Sequence, residues 1–208
     1  LSGGDKDWAT SPYPALGRAA FDAATASTDI GTVGAGTGAM TAMMKGGLGT
    51  SSLVLDSGVT VAALVVANPM GSVTTPGEKH FWAAPYEIDG EFGGVGTDPN
   101  TGLGRSLVSR KLTAMLERAN TTIAIVATDA KLDKAQCQRV AIAANDGIAR
   151  ACVPAHSPGD GDLVFSVATG DKLLGAQTDL VLIGHAAAWC LTRAIARGVH
   201  AATPAPNA

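Results

Sequence analysis

Asn120-Thr121-Thr122 stands directly before the apolar run Ile123-Ala124-Ile125-Val126. A threonine hydroxyl is a weak nucleophile unless a base lies beside it, and a threonine that heads its own chain carries that base as its α-amine. Such an amine titrates near ~7.7–8.0, so a large share is unprotonated at neutral pH. Cleavage of the Asn120–Thr121 bond would turn an ordinary residue into a self-contained catalyst. The same pair also fits a plain reading, in which Asn closes a helix and Thr opens a strand. Thr122 is the rival nucleophile, but in a strand its side chain faces the opposite side.

Two other constellations carry chemistry. Asp160-Gly161-Asp162 places two carboxylates two residues apart, able to orient an ammonium or a hydroxyl or to form a polar turn before a strand. It fails as a calcium loop, because Leu163-Val164-Phe165 supplies no further oxygen ligands. The glycine-rich stretch 31–50 contains Gly34, Gly36 and Gly38, and Lys45 precedes Gly46-Gly47. Neither the phosphate-cradling G-x-x-x-x-G-K-[ST] pattern nor the dinucleotide G-x-G-x-x-G is met. What survives is a loop whose backbone amides can approach a substrate. His80, His156, His185 and His200 are scattered without metal-ligand spacing, and no G-x-S-x-G elbow occurs. No metal or cofactor is expected.

The elements that must position these groups read as follows. A helix is expected from Pro14 to about residue 28, with proline in its first turn. Two β-branched runs at 51–55 and 59–67 flank Asp56-Ser57-Gly58, the pattern of a hairpin. The stretch 69–104 holds Pro69, Pro76, Pro85 and Pro99 and reads as irregular. Apolar spacing predicts a helix over 106–119, a strand over 121–128 and a helix over 134–152. Asp133 and Gln136 form a capping-box pair at the start of that last helix. A strand over 163–168 and a helix over 178–198 complete the chain, and the tail from residue 201 is expected to fray. Alternating strands and Ala-rich helices indicate one α/β layered domain, with helices covering both sides of sheets.

Composition narrows the class. Hydrophobic residues make up 46 % and aromatics 4 % of the 208 residues, so the core must be built from Ala, Val, Leu and Ile. Only 16 % are charged, a shortage that suggests part of the surface is covered by another chain or by oligomerisation. A net charge of −3 argues against nucleic acid or an anionic membrane as partner. No uninterrupted apolar run approaches the ~20 residues of a membrane span. Cys137, Cys152 and Cys190 are odd in number and lack C-x-x-C spacing, which points to reduced thiols and a cytoplasmic protein. The start at Leu1 suggests an upstream segment that has been removed or lies elsewhere.

Four segments occur in an order and spacing that resemble the self-processing L-aminopeptidase/D-esterase family, peptidase family S58. They are GTVGAGTGAM (31–40) with KGGLGT (45–50), VVANPMG (65–71), NTTIAIVATDA (120–130) and AHSPGDGDLVFSVATG (155–170). Within that family the chain looks like the threonine-nucleophile subtype of the nylon-oligomer hydrolase. The resemblance implies an α/β fold, a layered α-β-β-α sandwich of the L-aminopeptidase/D-esterase and ornithine acetyltransferase type, related to N-terminal-nucleophile hydrolases.

It also implies self-cleavage into 1–120 and 121–208, with Thr121 as the nucleophile. Asn68 would donate to the oxyanion, Lys45 would lie close to the nucleophile, and Asp160 and Asp162 would orient Thr121 and its ammonium. The implied activity is amide or peptide hydrolysis on a small substrate with a free amino group. The implied assembly is a homo-oligomer, a tetramer, completed by an upstream segment or companion chain that supplies a tyrosine. Two further readings stay open: an acetyltransferase of the ornithine type, and an inactive homologue or subunit fragment.

Overall fold

The computed structural model describes residues 8–105, 111, 120–176 and 178–202. Apart from Lys111, the helix expected at 106–119 lies outside them. Helix α1 covers Tyr13–Asp22 and buries none of its residues. It ends earlier than the spacing suggests, because Thr25 and Thr28 turn their hydroxyls onto nearby backbone carbonyls and compete with helical pairing.

One mixed sheet follows, in the order β1-β2-β3-β4. Strands β1 (Gly47–Val54) and β2 (Thr60–Ala67) form the expected hairpin, closed by hydrogen bonds between Leu55 and Val59 and between Gly58 and Leu55. β1 begins four residues earlier than its β-branched run, at Gly47. Strand β3 (Ile123–Ala130) pairs antiparallel with β2 and parallel with β4 (Leu163–Lys172). The parallel pair needs a crossover, supplied by helix α2 (Lys134–Ala151). At its start Asp133 accepts from the Gln136 N–H at 2.8 Å, and the Gln136 side chain accepts from Asp133 at 2.9 Å. The capping box is complete.

Helix α3 (Thr178–His200) is the centre of the core. Ile183, Ala187, Leu191, Ala194 and Ile195 are fully buried. They recur at three- and four-residue spacing along one face, and each Ile or Leu so buried contributes about 1.5–3 kcal/mol. By length and composition Asp179–His200 could cross a membrane, but 67 % of its apolar window is buried within the fold, the mark of a core helix. Arg193 grips Glu91 with two nitrogens and also donates to Ser52 O, which ties the irregular segment to both α3 and β1.

Helix and sheet approach closely. A Cβ on Gly49 would stand 1.9 Å from Ala194 O and 2.8 Å from Gly198 N. Gly49→Ala is therefore expected to destabilise the protein by about 3 kcal/mol, at the upper end of overpacking costs, read as a lowered denaturation midpoint.

Both long helices pack on one face of the sheet. The other face carries exposed apolar side chains, among them Leu64 (40 %), Ile125 (42 %) and Phe165 (54 %). Among the described residues the two long helices form one layer on one four-stranded sheet, in keeping with the expected α/β fold.

Candidate active site

Topology alone gathers the candidate residues. In an antiparallel β2–β3 pair the end of β2 lies beside the start of β3, and in a parallel β3–β4 pair both strands start together. Residues just after β2 and just before β1, β3 and β4 must share one edge of the sheet. These are Asn68, Lys45, Thr121 and the pair Asp160 and Asp162.

Register extends past the strand ends. The Thr121 N–H donates to Asn68 O at 2.9 Å, Gly161 N–H to Asn120 O at 2.9 Å, and Leu163 N–H to Thr122 O at 2.9 Å. The Thr121 hydroxyl lies 2.5 Å from Asn120 O, the carbonyl of the peptide bond before it. Thr122 is fully buried, whereas Thr121 is half-buried, so the two hydroxyls do occupy different environments.

Asn68 joins this edge to the glycine-rich loop. Its Oδ1 accepts from the Met40 N–H at 2.9 Å, which fixes the side-chain amide with its NH2 as the donor end. Sequence reasoning missed Lys111, which holds the same junction. It is 8 % exposed and donates to Met40 O at 2.7 Å and Pro69 O at 2.9 Å, thereby clasping the segments on either side of Asn68.

The two aspartates are held by backbone amides. Asp160 accepts from Met70 N at 2.8 Å and Ser157 N at 3.0 Å. Asp162 accepts from Thr122 N at 2.9 Å, and its other oxygen lies 3.0 Å from His156 Nδ1. Asn145 Nδ2 lies 3.4 Å from His156 Nε2, so the ring sits between Asn145 and Asp162. His156 takes a left-handed backbone (φ 54°) to make this contact. Metal spacing was the wrong signal for it; the useful one was its position six residues before Asp162.

Lys45 sits just before β1 and donates to Thr37 O at 2.9 Å, bracing the glycine-rich loop. Of the three loop glycines, Gly36 is buried where a Cβ would stand 2.3 Å from Leu48 N, so it serves packing. Gly34 and Gly38 are exposed. The loop meets the site through Met40.

The cysteines are free. Burial, aided by the Asp162 and Asp160 carboxylates, pushes the Cys152 thiol far above its ordinary range, and burial pushes Cys190 up to about 11. Neither is a competing nucleophile. Among the described residues no group of three or more His, Cys, Asp or Glu is placed to hold a metal ion.

The family model described as peptidase family S58 matches residues 9–208. The chain belongs to peptidase family S58. This S58 chain is 41 % identical over 208 residues to an uncharacterized aminopeptidase of Mycobacterium tuberculosis, covering 95 % of the chain and 60 % of that protein. It is 42 % identical over 200 residues to an uncharacterized aminopeptidase of Mycobacterium leprae, covering 89 % and 54 %. The S58 chain thus spans little more than half the length of these relatives.

Among solved structures, a Burkholderia sp. beta-aminopeptidase superposes with a TM-score of 0.57 at 26 % identity, over 86 % of this chain and 48 % of that one. The L-aminopeptidase D-Ala-esterase/amidase of Ochrobactrum anthropi, described as a variant of the Ntn hydrolase fold, gives 0.62 at 24 % identity, over 89 % and 48 %. The latter shows a shared fold alone. The S58 chain therefore has the expected α/β architecture and shares its fold with these aminopeptidases.

Proposed function

We propose that this chain carries the nucleophile of an amide-bond hydrolase, an aminopeptidase or amidase, activated by self-cleavage between Asn120 and Thr121. The observation that carries the reading is the Thr121 hydroxyl at 2.5 Å from Asn120 O, on a half-buried sheet edge.

In the precursor, Thr121 Oγ attacks the Asn120 carbonyl carbon. The Asn120–Thr121 C–N bond breaks as the hydroxyl proton passes to the Thr121 nitrogen, and an ester remains. Water hydrolyses that ester, leaving the Asn120 carboxylate and a free Thr121 hydroxyl and amine. In turnover the new amine takes the hydroxyl proton as Oγ attacks a substrate amide, then gives it to the leaving amine. Asn68, with Oδ1 committed to Met40, presents its NH2 as oxyanion donor.

The open apolar face of the sheet suits a second layer, supplied by the rest of a longer protein or by a companion chain. Assays therefore belong with the full-length protein. Two aminoacyl p-nitroanilides separate the readings, one with a free amino group and one N-acetylated. Release of p-nitroaniline from the free form alone is expected. Release from neither, with acetyl transfer from N-acetylornithine to glutamate, would replace the hydrolase with a transferase.

A further inference from the structure

We infer that the main-chain N–H of Gly161 is an oxyanion donor in the self-cleavage at Asn120–Thr121, and that Asp160 and Asp162 act by holding that peptide in place. This rests on the self-cleavage proposed above and assigns its electrostatics to a group with no side chain.

Three observations converge on Gly161. Its N–H stands 2.9 Å from Asn120 O, the oxygen that becomes negative when Thr121 Oγ adds to the carbonyl carbon. The Thr121 hydroxyl lies 2.5 Å from that same oxygen, so nucleophile and donor meet at one carbonyl. A Cβ built on Gly161 would stand only 2.7 Å from Thr121 Oγ1. Gly161 has no left-handed φ to require glycine; the space itself is what the nucleophile occupies.

The flanking carboxylates are spent on backbone amides. Asp160 takes those of Met70 and Ser157, and Asp162 takes that of Thr122 while facing His156. The peptide between them is pinned from both sides, one side tied to the Asn68-Pro69-Met70 corner and the other to the nucleophile's neighbour. A donor fixed before the reaction costs no reorganisation when charge develops.

In the step itself, the carbonyl π pair moves onto Asn120 O as the Oγ–C bond forms, and the Gly161 N–H receives that charge. The pair returns as the C–N bond breaks and the hydroxyl proton reaches the Thr121 nitrogen. A ladder hydrogen bond of the resting chain thus becomes an oxyanion contact without moving.

The test uses full-length protein in two altered forms. In one, glycolate replaces Gly161 in the backbone, so an ester removes the N–H and keeps the space. In the other, Gly161→Ala keeps the N–H and fills the space. Appearance of the fragment beginning at Thr121 is followed by intact mass. The glycolate form is expected to cleave at least about 10²-fold more slowly, the scale of losing one oxyanion donor, and the alanine form to cleave more slowly as well because its Cβ displaces Thr121 Oγ1.

In a Thr121→Ala background, which lacks the crowding Oγ1, Gly161→Ala should leave the unfolding midpoint of Thr121→Ala unchanged, and the glycolate form should still fold, its midpoint lowered only by the loss of one ladder hydrogen bond. An ester chain that cleaves as fast as unmodified protein, or that unfolds in the Thr121→Ala background, overturns the assignment. Failure of the unmodified protein to cleave would instead defeat the self-cleavage reading itself.

Discussion

Thr121→Ala protein is expected to remain joined at residues 120 and 121 and to hydrolyse no substrate amide, a loss of at least about 10³-fold, as for removal of an activated nucleophile. The substitution deletes the hydroxyl 2.5 Å from Asn120 O and little else: the backbone bond from Thr121 N to Asn68 O and the Thr122 bond to Asp162 are untouched. The variant should therefore fold, keeping the unfolding midpoint of the precursor. Thr121→Ser retains hydroxyl and amine and is expected to cleave itself. Thr122→Ala, which removes a fully buried hydroxyl, should leave cleavage at the same bond. A Thr121→Ala protein that still divides at this bond would shift the nucleophile to Thr122.

The second large effect is expected at Asn68. Asn68→Asp keeps an oxygen for the Met40 N–H and keeps the main-chain acceptor for Thr121, but replaces the NH2 donor with a second acceptor. The expectation is a fall in kcat of about 10²–10³-fold with KM little changed, the signature of a group that acts in the transition state. Asn68→Ala should lower kcat as far and also loosen the glycine-rich loop by freeing Met40 N. The Asp variant is the cleaner measurement. Near-normal kcat in Asn68→Asp would remove the side chain from the oxyanion site.

The parts of the fold legible in sequence were those governed by local rules. Periodicity placed β2, β3, β4, α2 and α3 within a few residues, because each buries one regular face. The Asp133–Gln136 capping box was legible for the same reason, its two partners being three residues apart. The start of β1 was not. Gly47 and Gly49 look like loop residues in isolation, and only the approach of Ala194 and Gly198 explains why glycine occupies a strand there.

The site divides along the same line. Thr121 and the two aspartates stood out by type, Asn68 only through the family resemblance, and the strand order brings all four to one edge. Their contacts depended on pairings no local pattern reports. Asp160 reaches Met70 across 90 positions, and Lys111 reaches Met40 across 71. A lysine in an ordinary helical pattern gives no sign that its ammonium will be buried against two loop carbonyls. Lys45, by contrast, drew notice from its glycine-rich setting, and its contact is the local one to Thr37.

The central claim is that the peptide bond before Thr121 opens to create the catalytic terminus. Edman sequencing of purified, active full-length protein tests it most directly. The account predicts a second N-terminal sequence reading Thr-Thr-Ile-Ala-Ile-Val. A single N-terminus in material that turns over an aminoacyl amide, with residues 120 and 121 still joined, would contradict it.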